Sequence, residues 1–268
     1  MRSTLALTAV LATLTAAGCR RDDPQLQKEL AGIRQEVQAI RAQLSKQGGP
    51  APARQRPPSP DGNKVYAVGV AGAPAIGKAD APLTLVLAYE YACPWCEKQH
   101  QAFADIARAY GDDVRVVYRP YVVHPQVATD AALAACAAHR QGRFGEVDAA
   151  LWRDVFGGRA FERAAVEKAA VGGGADLSRL RADMDGACKA WVAGEQGALA
   201  ALGASSTPTL WVNGRPTIGF KTFDQLKPLL DEELGRARER IAAGTPRAAY
   251  YEEWVMKKGL PRFEPAGS

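Results

Sequence analysis

The chain has 268 residues, 47% of them apolar and 24% charged, with a formal net charge of +5. This is an ordinary mix for a soluble globular protein, and the length suits one well-cored domain with accessories. Lys and Arg are scattered, with no basic stripe interleaved with aromatics, which argues against nucleic-acid binding.

In chain order, Met1-Arg2 gives a positive start and Leu5 to Ala17 an apolar run of about the length of a secretory signal core, too short for a membrane span. The run ends in Leu14-Thr15-Ala16-Ala17-Gly18-Cys19, which resembles a bacterial lipobox, although Ala16 stands where the strongest examples carry Leu. That resemblance implies a signal peptide over 1–18, a lipid on Cys19 and attachment to a membrane. The plainer alternative is an ordinary secretory signal cut nearby. Either way the protein leaves the cytosol and disulfides become possible. With Cys19 consumed by lipid, Cys93, Cys96, Cys136 and Cys188 remain, an even number.

Leu26, Leu30, Ile33, Val37, Ile40 and Leu44 follow in a 4-3-4-3-4 spacing, a coiled-coil seam within residues 19–47. Glu29 and Glu36 fall at g, opposite Arg34 and Arg41 at e on a parallel partner. The pattern predicts a homo-oligomer through residues 22–47. The bland alternative is an amphipathic helix docked on its own domain. Residues 48–63 are Pro-rich and read as a semi-rigid spacer.

The globular domain is expected over 64–245. Lys64–Val70 and Leu83–Ala88 read as strands, the second almost wholly apolar and therefore central and buried. A helix spans Pro94 to Tyr110, ending at Gly111, and Val114–Arg119 is a strand in parallel pairing with the one before. Residues 126–202 are helical and Ala-rich, with breaks near Gly157-Gly158 and Gly172–Gly174. Thr209–Val212, a turn at Asn213-Gly214 and Pro216–Gly219 read as a hairpin. A helix from Phe223 to Ala242 precedes a polar tail with aromatics over 246–268.

The chemistry concentrates in YEYACPWCEKQH, residues 89–100. Cys93 follows a buried strand and caps a helix, where free N–H groups and the helix dipole stabilise a thiolate. Pro94 suits the first helical turn, where its missing N–H costs nothing. Cys96, one turn in, is placed to resolve. A c-type haem site needs His where Glu97 stands. A zinc site needs ligands that the sequence does not supply, and His100 reads as a solvated helix residue. A redox pair is the reading that remains, with no metal and no cofactor.

APLTLVLAYEYACPWC, AALAACAAHRQGRF and SSTPTLWVNG, in that order, resemble the DsbA-like branch of the thioredoxin superfamily over about residues 64–240. The resemblance implies an α/β thioredoxin fold with an inserted helical subdomain over about 126–202, behind a short N-terminal coiled-coil helix. It implies a protein thiol–disulfide oxidoreductase with Cys93 and Cys96 catalytic, and with Pro94, Trp95, Glu90, Thr207 and Pro208 supporting them. Pro208 would be a cis-proline facing the pair. Glu90 matches an acidic position of the family, against the plain reading of a solvated loop carboxylate. Leu87 departs from the pattern, since such domains often carry a buried acid there, and an apolar residue leaves the thiol of Cys96 without its usual base. Cys136 and Cys188 are candidates for a structural disulfide, against two buried free thiols.

The expected function is oxidation of dithiols in unfolded or partly folded exported proteins, in the bacterial envelope or periplasm, with a separate redox partner. The alternatives are an oligomeric disulfide isomerase or reductase, and a lipoprotein using the fold only to hold partners.

Overall fold

The structure, a computed structural model, describes residues 24–47 and 59–264. The signal segment, Cys19 and most of the Pro-rich spacer lie outside the described residues. The chain divides into two units, 1–55 and 56–268.

In the first unit Pro24–Gln47 forms one helix, α1. Leu26, Leu30, Ile33, Val37 and Ile40 are 41–55% exposed, so the apolar row is exposed at these five positions.

The second unit is built on a five-stranded sheet in the order β1-β3-β2-β4-β5. Its strands are β1 (Ala75–Gly77), β2 (Leu83–Tyr89), β3 (Val114–Pro120), β4 (Thr209–Val212) and β5 (Arg215–Ile218). Central β2 runs parallel to β3, pairing Leu85 with Val116, and antiparallel to β4, pairing Leu87 with Leu210. Every residue of β2 is buried because both faces of the sheet are covered. Leu83, Leu85, Leu87 and Tyr89 face one core, with α2 (Pro94–Tyr110), α8 (Phe223–Ala242) and most of the helical insertion. Val86 and Ala88 face the other, with Trp211, Leu199 and Tyr251. Each fully buried Leu contributes roughly 2 kcal/mol of transfer free energy.

Between β3 and β4 run α3 (Pro125–Arg140), α4 (Phe144–Ala150) with a π turn over Leu151–Phe156, α5 (Arg163–Gly172), α6 (Leu177–Asp185) and α7 (Ala187–Ala201). A buried bidentate pair from Arg119 on β3 to Glu195 on α7 ties the insertion to the sheet.

The hairpin turn uses both its residues. Asn213 (φ 44°) and Gly214 (φ 84°) take the left-handed conformations of a two-residue hairpin loop. The Asn213 amide, 1% exposed, accepts from Thr84 N at 2.8 Å and donates to Pro82 O at 3.0 Å, fastening the turn to the start of β2. A Cβ on Gly214 would stand 2.6 Å from Tyr66 O.

Three expectations need correction. Lys64–Val70 is not a sheet strand; its residues bond to several elements, Tyr66 N to Gly214 O and Ala67 N to Leu260 O, leaving one bridge between Tyr66 and Leu260. The strand that pairs with β3 at the edge is instead Ala75–Gly77, three exposed residues with no apolar alternation to betray them. The segment from 246 is no tail: a π turn over Tyr251–Met256 buries Tyr251 and Val255, and Tyr251 donates to Val68 O at 2.8 Å. The spacer also ends early, since Pro60 is buried and Gly62 O accepts from Arg215 Nε at 3.1 Å.

Candidate active site

β2 delivers the chain to Tyr89, and after four intervening residues α2 begins at Pro94. Cys93 is the N-cap residue in extended conformation (φ −93°, ψ 116°), with Pro94 as the first helical residue. Cys93 O accepts from Cys96 N at 3.0 Å and from Glu97 N at 3.2 Å, which closes the first turn around the pair. Both thiols are unpaired, so the site is in its reduced form.

The two sulfurs differ in their surroundings. Cys93 is 6% exposed and Cys96 fully buried. The Cys93 thiol is pulled down to about 6, chiefly by a hydrogen bond from the Cys96 thiol and further by Thr207 and the backbone N–H groups of Cys96 and Trp95, against the opposing effect of burial. The Cys96 thiol is pushed far up, first by burial and then by the neighbouring Cys93. One thiol is poised to attack and the other holds its proton.

The Thr207–Pro208 bond is cis and lies across from the pair, with Thr207 O 3.5 Å from the Cys93 sulfur, which donates to it. On one flank Trp95 is 54% exposed, stacks on Phe220 at 6.2 Å between centroids and carries the Lys98 ammonium 4.6 Å over its ring. On the other, a cleft of about 540 Å³ is lined by Ala92, Pro94, His124, Val127, Phe156 and Phe161. An exposed aromatic shelf and a mixed cleft, with Phe156 and Phe161 beside His124 and Arg159, lie either side of the reactive thiol.

Glu90 is not a solvated carboxylate. It is 1% exposed, accepts from Val123 N at 2.7 Å and His124 N at 2.9 Å, and is paired with the His124 ring. The carboxylate raises the His124 pKa, with a smaller contribution from Cys93. Glu90 thus anchors the start of α3 beside the nucleophile. His124 is a site residue the sequence reading missed; its signal was the His-Pro step opening a helix.

His100 is not solvated either. Its side chain is 27% exposed, its Nδ1 lies 3.5 Å from Asp148 Oδ2, and its ring lies 5.6 Å from that of Trp152. It faces inward because it sits one turn after Cys96 on the same side of α2. Cys136 and Cys188, far along the insertion, are joined as a disulfide between α3 and α7. Among the described residues no cluster of metal-ligating side chains is present.

A family model described as thioredoxin matches residues 70–232. The chain belongs to the thioredoxin family. Its domain has the fold of the DsbA-like thiol–disulfide oxidoreductases. A thioredoxin-like oxidoreductase from Silicibacter pomeroyi is 26% identical with a TM-score of 0.53, covering 63% of this chain and 94% of that one. Oxidised BdbD from Bacillus subtilis shares the fold at 21% identity and a TM-score of 0.57, covering 64% of this chain and 98% of that one. Among curated relatives, the Na(+)/H(+) antiporter NhaA 1 of Mycolicibacterium gilvum is 31% identical over 153 residues, 52% of this chain. The chain spans about a quarter of such relatives, 23% of that antiporter. Among the described residues no helix is long and apolar enough to cross a membrane.

Proposed function

We propose that this thioredoxin-family chain is an enzyme, a thiol–disulfide oxidoreductase of the bacterial envelope that oxidises dithiols in exported proteins through Cys93 and Cys96. A substrate thiolate attacks the Cys93 sulfur of the oxidised enzyme and expels Cys96. A second substrate thiol then attacks the mixed disulfide, the substrate disulfide forms, and Cys93 leaves as a thiolate. Two electrons pass from substrate to enzyme, and a separate redox partner removes them.

The observation that carries this reading is the asymmetry of the pair, a Cys93 held near pKa 6 beside a Cys96 held as a thiol. Stabilising the nucleophile as a thiolate stabilises the reduced enzyme and makes its disulfide the more oxidising. Thioredoxin, with a thiol near 7, and DsbA, near 3.5, bracket this value. The Cys93–Cys96 couple is therefore expected at roughly −230 to −180 mV, between the two proteins. Equilibration with glutathione buffers measures it. A potential at or below about −270 mV would replace oxidation with reduction. Loss of all turnover in Cys93→Ser separates an enzyme from a holder of partners.

Isomerisation is the second reading, favoured by the open apolar row of α1. Paired copies of that helix would set several active sites around one misfolded substrate. The lipid on Cys19, the periplasmic location and the domain limits at 18 and 47 belong to this proposal, supported by the sequence.

A further inference from the structure

A thiol as buried as Cys96 must lose its proton before it can resolve a mixed disulfide on Cys93 and must regain it when it leaves. Leu87, fully buried under the pair, can do neither. Glu90 is committed to the start of α3 and the His124 ring. A different carboxyl lies in the same core. Asp148, on α4, is 1% exposed and accepts from Tyr91 Oη at 2.6 Å. Tyr91 Oη is in turn 3.0 Å from Tyr89 Oη, and Tyr89 packs in the same core cluster as Cys96. A second link comes from α2 itself, where His100, one turn beyond Cys96, brings Nδ1 to 3.5 Å from Asp148 Oδ2 and reaches partly into solvent.

We propose that Asp148 is the proton reservoir of the resolving cysteine, linked to Cys96 through the Tyr89–Tyr91 hydroxyl pair and to solvent through His100. It is a positioning residue, acting on Cys96 through the tyrosines. During resolution the proton of Cys96 passes by way of the hydroxyls to the Asp148 carboxylate. The freed thiolate attacks the Cys93 sulfur, the Cys93–Cys96 bond forms, and the bond from Cys93 to substrate sulfur breaks. The substrate leaves as a thiolate that takes its proton from water, and Asp148 returns its own through His100. In the oxidising direction the path runs backward, and protonated Asp148 supplies the leaving Cys96.

The groups around the carboxyl suit this task. β2 and the loop after it present Tyr89 and Tyr91, β3 presents Tyr118, and α2 presents His100. The Trp152 indole N–H points at the carboxyl without closing a normal hydrogen bond. The buried residues of α3 are alanines, Leu133 and Cys136, none of them titrating, and the acid of α5, Glu167, is held by Arg163 and Arg181. No fixed cation neutralises Asp148 among the described residues, and burial pushes its pKa up to about 7. A carboxyl so placed takes and gives a proton near neutral pH at little cost.

The test rests on the redox reading of Cys93–Cys96 and separates the two. The reduced full chain is mixed with the aromatic disulfide 5,5′-dithiobis(2-nitrobenzoate). The first release of thionitrobenzoate reports attack by Cys93, the second its displacement by Cys96. Asp148→Asn is expected to leave the first release unchanged and to slow the second about 100-fold at pH 7, the lower end of what general-base transfer contributes, with the gap closing as pH rises. Tyr91→Phe, which keeps the carboxyl and cuts the chain, is expected to slow the same step. A second release whose rate and pH profile are unchanged in folded Asp148→Asn overturns the proposal; if that variant does not fold, the same result in Tyr91→Phe does so. A wild-type chain giving a first release and no second overturns the redox reading itself.

Discussion

Asp148→Asn should make the protein more stable above neutral pH. An ordinary aspartate titrates near 3.9, whereas burial takes Asp148 to about 7. A carboxyl whose pKa rises on folding binds its proton more tightly in the native state. Its cost is therefore absent below about pH 4, grows as pH rises, and is complete above about 7. Three units correspond to about 4 kcal/mol, an upper figure because the surroundings relax around a buried charge. Asparagine keeps the oxygen that accepts from Tyr91 Oη and removes the titration. Urea unfolding of the reduced wild type and variant at pH 5 and pH 8 measures the difference. The variant is expected to gain up to about 2.5 kcal/mol on the wild type between the two. Other groups that titrate in that window, His124 and Cys93 among them, cancel in the comparison. A variant less stable than the wild type at pH 8 would refute the reasoning, because it would mean that the folded protein stabilises the carboxylate outright.

Alkylation of the reduced protein should label Cys93 first, with a rate that rises through a midpoint near pH 6; preferential labelling of Cys96 would reverse their assignment. Removing the ion pair at the mouth of the site with His124→Ala should raise the Cys93 midpoint by roughly 0.5 of a pH unit, since the imidazolium is exposed and screened; an unchanged alkylation profile would detach His124 from the thiolate. Replacing Cys136 and Cys188 together by Ala frees a loop of 52 residues and should cost about 4 kcal/mol, read as a lower melting temperature; a shift worth under 1 kcal/mol would show that packing alone holds α3 to α7. Deleting residues 20–48 should leave a folded, redox-active monomer by light scattering, and a full-length soluble form already monomeric at high concentration would remove α1 from any assembly.

The parts that could be read from sequence are those written in a short window. The apolar run of β2, the Pro after Cys93 and the Asn-Gly turn each encode their structure within a few residues. What escaped was assembled from distant segments. β1 is three exposed residues whose strand character comes from β3 beside it. Residues 251–260 gain their order from Tyr66 and Val68, nearly 200 positions earlier, so their aromatics read as a tail until those partners are in place.

The same limit governs the chemistry. Leu87 at the familiar acid position reads, by itself, as a resolving thiol left without a base. Nothing near the CPWC segment says otherwise, because Asp148 lies 52 positions after Cys96, one of two acids in a seven-residue helix whose sequence gives no sign of the direction it faces. Only when α4 packs beside β2 and α2 does that acid meet Tyr91, and only then does His100 turn from a solvated residue into the group between a buried carboxyl and water. The proton-handling group has moved from the sheet to the inserted helices. On this proposal the insertion is bound to the chemistry of the pair as well as to the cleft beside it, so a change that loosens it should slow resolution by Cys96 far more than attack by Cys93, which is activated chiefly by the Cys96 thiol, with Thr207 and the backbone at the start of α2.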